Sequence, residues 1–270
     1  MEKGEITLVS AFYEIKSKFP SNTYYEWMRN YLSLSTQMVI FTDSKSESYI
    51  KELRANNQNK TVIIIQELMD TKMYKNIEYW NYCYEIDTEK YHNPLLYLIW
   101  AQKTFFVETV IEKNPFESSY FFWCDIGAFR NVNHMSKLIK FPNIEKVSKL
   151  PENKIVLFSI EPFQSSDRML NINGIPCLYD NVNGQACSKD ICRVQGGFFG
   201  GSKNAWSSWI NLYSITLEKF MVTKTFGGKD QAIMSTIALL YPHKVHIIQT
   251  QNRIDNDFID KWFYFQYILS

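Results

Sequence analysis

The sequence predicts an α/β fold with a central, mostly parallel sheet flanked by helices. Three observations carry this expectation. Strand-like and helix-like stretches alternate through residues 6–66, the order of a doubly wound sheet. The run Thr61-Val-Ile-Ile-Ile-Gln66 is apolar on both faces, as a parallel strand covered by helices on either side must be. Two apolar runs stop at a carboxylate, one at Asp43 and one at Asp125. In open α/β sheets the ligand crevice lies outside the carboxyl ends of the strands.

The elements follow in order. Ile6-Thr-Leu-Val-Ser-Ala-Phe12 reads as a buried strand. A helix is expected over 23–34, with Tyr24, Trp27, Met28 and Tyr31 at helical spacing. Residues 37–43 form a second strand and 47–55 a charged helix, before the strand at 61–66. Residues 68–92 read as irregular and aromatic. Asn93 and Pro94 open the clearest helix, as N-cap and first helical residue, and Asn114-Pro115 ends it. Its buried face carries Leu95, Leu98, Ile99, Phe105, Phe106 and Val110, with Lys103 on another face. A strand with the β-prone run Phe121, Phe122 and Trp123 follows and delivers Asp125, then Gly127. A basic connector spans 137–150, and 154–160 is a strand. Residues 161–193 are too long for an ordinary connection and read as a lid or binding loop. Gln195-Gly-Gly-Phe-Phe-Gly-Gly201 precedes a helix over about 203–220. A further helix covers 232–240, and a last short strand 243–248. No linker divides the chain, so residues 1–270 are expected to form a single domain.

Composition narrows the function classes. The formal net charge is +1, which gives no bulk attraction for nucleic acid. Aromatic residues are 16% of the chain, enough for a substantial core and for ring-stacking sites. The five cysteines are odd in number and lack paired C-x-x-C spacing, which argues against a disulfide framework, although Cys177, Cys187 and Cys192 share one segment. The first residues lack the apolar run of a secretory signal, and no stretch of about 18 apolar residues exists to span a membrane. The expected setting is cytoplasmic. The aromatic run Trp262 to Phe265 is expected to pack internally, with a homodimer contact or a contact with a membrane-bound acceptor as alternatives.

The chain contains no Walker loop, no G-x-G-x-x-G after the first strand, no G-x-S-x-G and no H-E-x-x-H. What remains are carboxylates and glycines at strand ends. Asp125 is a candidate ligand for a divalent cation. Paired glycines at Gly196 and Gly197 allow a substrate or a second backbone to come close. Asp230, behind Gly227 and Gly228, is either a helix cap or a cleft-facing base. Gln231 beside it offers a donor and an acceptor suited to sugar hydroxyls. His243 and His246 are candidates to complete a metal site.

Several of these segments, in order, carry a family resemblance. They are the strand at 7–13, Tyr25-Glu26-Trp27, Val-Ile-Phe-Thr-Asp43, Asn114-Pro115-Phe116, Phe-Trp-Cys-Asp125-Ile-Gly127, the Gly-Gly-Phe-Phe-Gly-Gly stretch and Lys229-Asp230-Gln231. Over roughly residues 5–250 the set resembles the HtrL/YibB-type proteins linked to lipopolysaccharide and capsule glycans. More broadly it resembles the GT-A nucleotide-sugar transferases. The resemblance implies a nucleotide-diphosphate sugar donor, with a UDP-sugar as first choice, a glycan or glycoprotein hydroxyl acceptor, and Mn²⁺ or Mg²⁺. It places Ala11, Phe12 and Tyr13 beside the nucleoside and Asp43 near the base or ribose. Asp125 matches one position of the metal-binding Asp-x-Asp motif, but Gly127 stands at the second acidic position, so His243 or His246 would complete the ligand set. Gly196 and Gly197 match the acceptor side, and Asp230 the acidic residue near the reacting sugar. Lys103 and Arg130 are the candidate cations for the diphosphate. The alternative is a nucleotide- or glycan-binding module of the same fold without turnover. A sugar-nucleotide pyrophosphorylase fits less well, because the chain lacks a Gly-rich basic N-terminal loop.

Overall fold

Strand β1 (Ile6–Phe12) lies in the interior of the sheet and is buried along nearly its whole length. In the computed structural model, which describes residues 5–16, 18–90, 92–138, 140–176, 178, 193–249 and 261–270, it pairs in parallel with a strand on each side. Its neighbours are β2 (Gln37–Thr42) and β4 (Tyr120–Cys124), and β3 (Thr61–Ile65) extends the parallel set beyond β2. The full order is β3-β2-β1-β4-β6-β5-β7, with β5 (Ile155–Ser159), β6 (Phe198–Ser202) and β7 (Val245–Gln249) completing the sheet of seven strands. Only β6 runs antiparallel to its neighbours. This is the expected mostly parallel α/β architecture.

Alternation along the strands divides the core into two layers. On one face Val9, Val39, Phe41, Phe121, Trp123 and Leu157 pack with helices α3 (Ile77–Ile86), α4 (Pro94–Lys113), α7 (Lys203–Val222) and α8 (Asp230–Leu240). On the other face Leu8, Met38, Ile40, Phe122, Val156 and Phe158 meet α1 (Ser21–Leu32), α2 (Glu47–Leu53), α6 (Ile144–Val147) and α9 (Tyr264–Ile268). The short α5 (Val132–Met135) lies between β4 and α6 in the chain. Of the C-terminal aromatic run, Phe263 and Phe265 are buried in this second layer as expected and Tyr264 is half-buried, but Trp262 is exposed.

Two helices matter most for the site. α4 starts where expected: the Asn93 side chain accepts from the Leu96 amide at 3.0 Å and Pro94 follows. It ends at Asn114, which is left-handed at φ 35°. α7 is capped by the Ser202 hydroxyl, 3.2 Å from the Ala205 amide. One expectation fails here. Residues 68–92 are not irregular throughout, because α3 occupies 77–86 and buries Trp80 and Cys83. Lys103, placed off the apolar stripe of α4, is itself buried, at 2% exposure. Of the long segment 161–193, the short turn Ser165–Arg168 and a bridge between Leu170 and Pro176 are described. Cys177, Cys187 and Cys192 lie outside the described residues.

Candidate active site

The carboxyl ends of β1 and β4 open into a cleft of about 400 Å³, in the range of small-molecule sites. Ala11, Phe12 and Tyr13 of β1 and the residues after it line one wall. Tyr24 and Tyr25 of α1 and Trp100 of α4 line others. Asp125, Gly127 and Arg130, which follow β4, complete it. The strand ends therefore bring together five of the residues singled out from sequence: Ala11, Phe12, Tyr13, Asp125 and Arg130.

Asp125 is held firmly. Its amide donates to the Gly197 carbonyl at 2.7 Å, as the antiparallel ladder between β4 and β6 runs out. Its Oδ1 receives the Trp123 indole N–H at 2.6 Å and lies 3.0 Å from the Lys103 ammonium. Lys103 reaches it from α4 and also meets Asp230 Oδ2 at 2.8 Å and the Gly196 carbonyl at 2.9 Å. Burial opposes the charge on Lys103, but Asp125 and Asp230 outweigh it and raise its pKa above the ordinary lysine value. For Asp230, burial raises the pKa and the Asp125 charge adds to this, while Lys103 pulls it down; the net shift is upward. The result is a buried cation held between one fully buried carboxylate and one that reaches the cleft, Asp125 being 37% exposed.

This arrangement relocates several residues. Asp230 is the first residue of α8, with Lys229 as the cap position, so it is not the helix cap. It is 3% exposed and packs against the Gly196 Cα, where a Cβ would come 2.6 Å from its Oδ1. Gly196 is thus required by the close approach of this carboxylate. Gly197 shields Asp125 on the same side. Gln231 is half-buried in the first turn of α8, and its amide donates to the Asp230 carboxylate. Lys103 does not line the cleft, and its ammonium is committed to these two acids and the Gly196 carbonyl.

Asp43 follows β2 and accepts from the Ser46 amide at 2.8 Å, closing the turn into α2. It sits beside Tyr13 rather than in the cleft wall. Burial, then the charges of Asp43 and Glu67, push the Tyr13 hydroxyl pKa well up, so it remains a neutral donor, bonded to the Gln66 carbonyl at 3.1 Å.

The expected role of His243 and His246 at Asp125 is corrected by the sheet. His246 is in register with Val156, Gly200 and Phe122, three strands across from β4. At about 4.8 Å per strand that is about 14 Å, and Asp125 lies a further three residues, about 10 Å, along β4. His243 precedes β7 and is farther still, toward the amino ends of the parallel strands. Neither histidine reaches a cation held by Asp125. The cleft offers a metal the remaining Oδ2 of Asp125, no ligand at Gly127, and the exposed Glu14, whose Oε1 accepts from Tyr25 at 3.2 Å. This does not fit a two-carboxylate cation site. Among the described residues, Asp87, Glu89 and His92 do bring ligand atoms within 4.8 Å of one another. Their spacing was visible in the sequence but fell in a region read as irregular. There the Lys229 ammonium already lies 2.7 Å from Glu89 Oε2.

Sequence reasoning also missed the cleft roles of Tyr24, Tyr25 and Trp100, Tyr25 having been singled out only within the segment Tyr25-Glu26-Trp27. Tyr24 was legible only as part of a helical apolar stripe, and Trp100 carried no signal beyond its place in α4.

Fold and site define an α/β protein with an aromatic-walled ligand cleft at the carboxyl ends of its parallel strands. The family model described as "Bacterial protein of unknown function (HtrL_YibB)" matches residues 4–266, and the chain belongs to that family. No curated protein matches it. Among solved structures, it is similar to mouse xyloside xylosyltransferase 1 in its apo form, at 12% identity and a TM-score of 0.48, over 91% of this chain and 85% of that one. It is also similar to 4-diphosphocytidyl-2C-methyl-D-erythritol synthase from Anaerococcus prevotii DSM 20548, at 8% identity and a TM-score of 0.38, over 97% and 94% of the two chains. Both likenesses are too distant to bear on reaction or ligand. Among the described residues no helix is long and apolar enough to cross a membrane.

Proposed function

We propose that this protein is a glycosyltransferase that moves a sugar from a nucleotide-diphosphate donor to a glycan or protein hydroxyl. The observation that carries the reading is the cleft itself. It combines aromatic walls with a fixed carboxylate, Asp125, in a chain whose ordered motifs resemble the nucleotide-sugar transferases. Phe12, Tyr24, Tyr25 and Trp100 supply ring faces for a base or a sugar. Asp125, fixed by Trp123 and Lys103, presents Oδ2 to a hydroxyl of the bound sugar or acceptor. Asp230 acts through Lys103 as a positioning residue, since it is buried and apart from the cleft wall. The reading needs no ligand from His243 or His246.

The test is thermal stabilisation and donor hydrolysis with UDP-, GDP-, CMP- and TDP-sugars, each with Mn²⁺, Mg²⁺ or chelator. A donor at a hundred times its Kd stabilises by about 2.7 kcal/mol. At about 2–4 °C per kcal/mol, one nucleotide class is expected to raise the melting temperature by about 5–10 °C and to release its sugar slowly. Asp125→Asn is expected to keep the stabilisation and to lose most of the turnover. Binding by one class with no turnover under any metal condition would favour a binding module, the reading that Gly127 in place of an acidic residue supports. No response to any donor would refute both.

A further inference from the structure

The diphosphate of such a donor carries negative charge that grows as the sugar leaves, and something in the cleft must neutralise it. Lys103 does not: it is buried, and two carboxylates already surround it. The acidic partner that a shared cation would find two residues beyond Asp125 is lacking, because position 127 is glycine, and the other carboxylate of the cleft, the exposed Glu14, accepts from Tyr25. No backbone demand explains that glycine. Its φ is not left-handed, and a Cβ would meet Trp27 and Tyr24 at 3.5 and 3.6 Å, ordinary contacts. A Cβ there would touch Trp27, the ring over which the Arg130 guanidinium lies.

Arg130 is organised for an anion. Its guanidinium carbon lies 4.6 Å from the centre of the Trp27 ring and 5.8 Å from that of Phe19. Trp27 is 8% exposed and wedged by Phe19 and Tyr24, with ring centres at 5.2 and 5.1 Å, so the platform is fixed. A guanidinium lying over an aromatic face keeps its edge N–H donors for a planar, bidentate partner. Among the described residues no carboxylate lies within ion-pair reach of Arg130. It lines the same cleft as Asp125, five residues away along the turn after β4.

We propose that Arg130 is the diphosphate-binding residue of this cleft, and that it holds the diphosphate without a divalent cation. The inference rests on the glycosyltransferase reading and adds to it the group that takes the leaving anion. Guanidinium–phosphate pairs are strong because both partners are charged and the fork matches the phosphate oxygens.

Calorimetric titration tests it, with UDP, GDP, CDP and TDP, each beside its own nucleoside, in chelator and then in Mn²⁺. In chelator, one diphosphate is expected to bind at least about tenfold more tightly than its nucleoside. Arg130→Gln is expected to bring that ratio close to one, and Arg130→Lys to retain part of it, since charge remains and the fork is lost. Asp125→Asn is expected to preserve or raise the ratio, because it removes a negative charge from the cleft. Arg130 is exposed, and unchanged melting temperatures of both Arg130 variants will show that they fold. A ratio near one in chelator that appears only with Mn²⁺ and survives Arg130→Gln would overturn the proposal and leave the glycosyltransferase reading standing. Absence of diphosphate binding under every condition would overturn both.

Discussion

Lys103 shows at the scale of one residue how position and role separate. In sequence it is a lysine off the apolar stripe of a helix, and its ordinary fate is solvent. In the fold it is the cation between Asp125 and Asp230, and its neighbours come from β4 and α8. Removing one partner of a buried ion pair leaves an uncompensated charge, at a cost of about 3–5 kcal/mol. Lys103→Met is therefore expected to lower the melting temperature by about 10 °C, at about 2–4 °C per kcal/mol. Adding Asp230→Asn removes the more deeply buried of the stranded carboxylates. The double variant is expected to melt higher than Lys103→Met alone. Additive losses in the melts of the two single variants and the double would show that Lys103 and Asp230 do not interact. Turnover of Asp230→Asn separates Asp230 the positioning residue from Asp230 the base: a positioning residue leaves measurable activity, and a base leaves almost none.

At the scale of elements, most of the sheet was legible and the helices less so. β1, β2, β3 and β4 are apolar runs bounded by polar or turn residues, and the structure ends them within a residue or two of expectation. α3 was missed because its aromatics are spread around the helix, with Tyr82 and Tyr84 outside the stripe made by Trp80 and Cys83. The glycine stretch was legible as a place of close approach, not as strand β6, and not in the reason for each glycine. At Gly200 a Cβ would lie 2.2 Å from the Phe121 carbonyl oxygen and 2.7 Å from the Phe122 Cα, both backbone atoms of the paired strand. Neither can yield without breaking the β4–β6 ladder that carries Asp125 at its end. Gly200→Ala is expected to cost about 3 kcal/mol or more, or to prevent folding. Gly127→Ala, with only ordinary contacts, is expected to change stability by less than about 1 kcal/mol. Denaturant melts of the two variants decide this. Equal losses would mean that the close approach at Gly200 relaxes easily.

Across the whole molecule, the sequence marked Asp125 and Arg130 as chemistry-bearing but not which distant residues meet them. Such meetings depend on strand order and register: β7 carries His243 and His246 to the far edge, while β6, inserted antiparallel, brings Gly196 and Gly197 against Asp230 and Asp125. The same is true of the cluster that ties the α3–α4 connection to the start of α8. Asp87 there accepts from the Glu89 amide at 2.9 Å and from the Tyr97 hydroxyl, lies 3.3 Å from His92 Nδ1, and shares the site with Lys229 through Glu89. Burial favours the neutral acid, but these partners, His92 foremost, hold the Asp87 carboxyl well below the usual range. A carboxylate with a depressed folded pKa stabilises fully above its unfolded value of about 3.9, and that stabilisation disappears as pH falls toward the folded value. Asp230 has the opposite sign, its raised pKa favouring the folded state in acid, so its contribution is lost as pH rises through the folded value. Asp87→Asn isolates the first effect. The variant is expected to melt several degrees below the parent at pH 7, with the gap narrowing as both are taken from pH 5 to pH 3, where the carboxyl of the unfolded parent takes up a proton while the folded one stays ionised. A gap of equal size at pH 3 and pH 7 would show that the shape of the side chain, not its charge, holds the α3–α4 connection against α8.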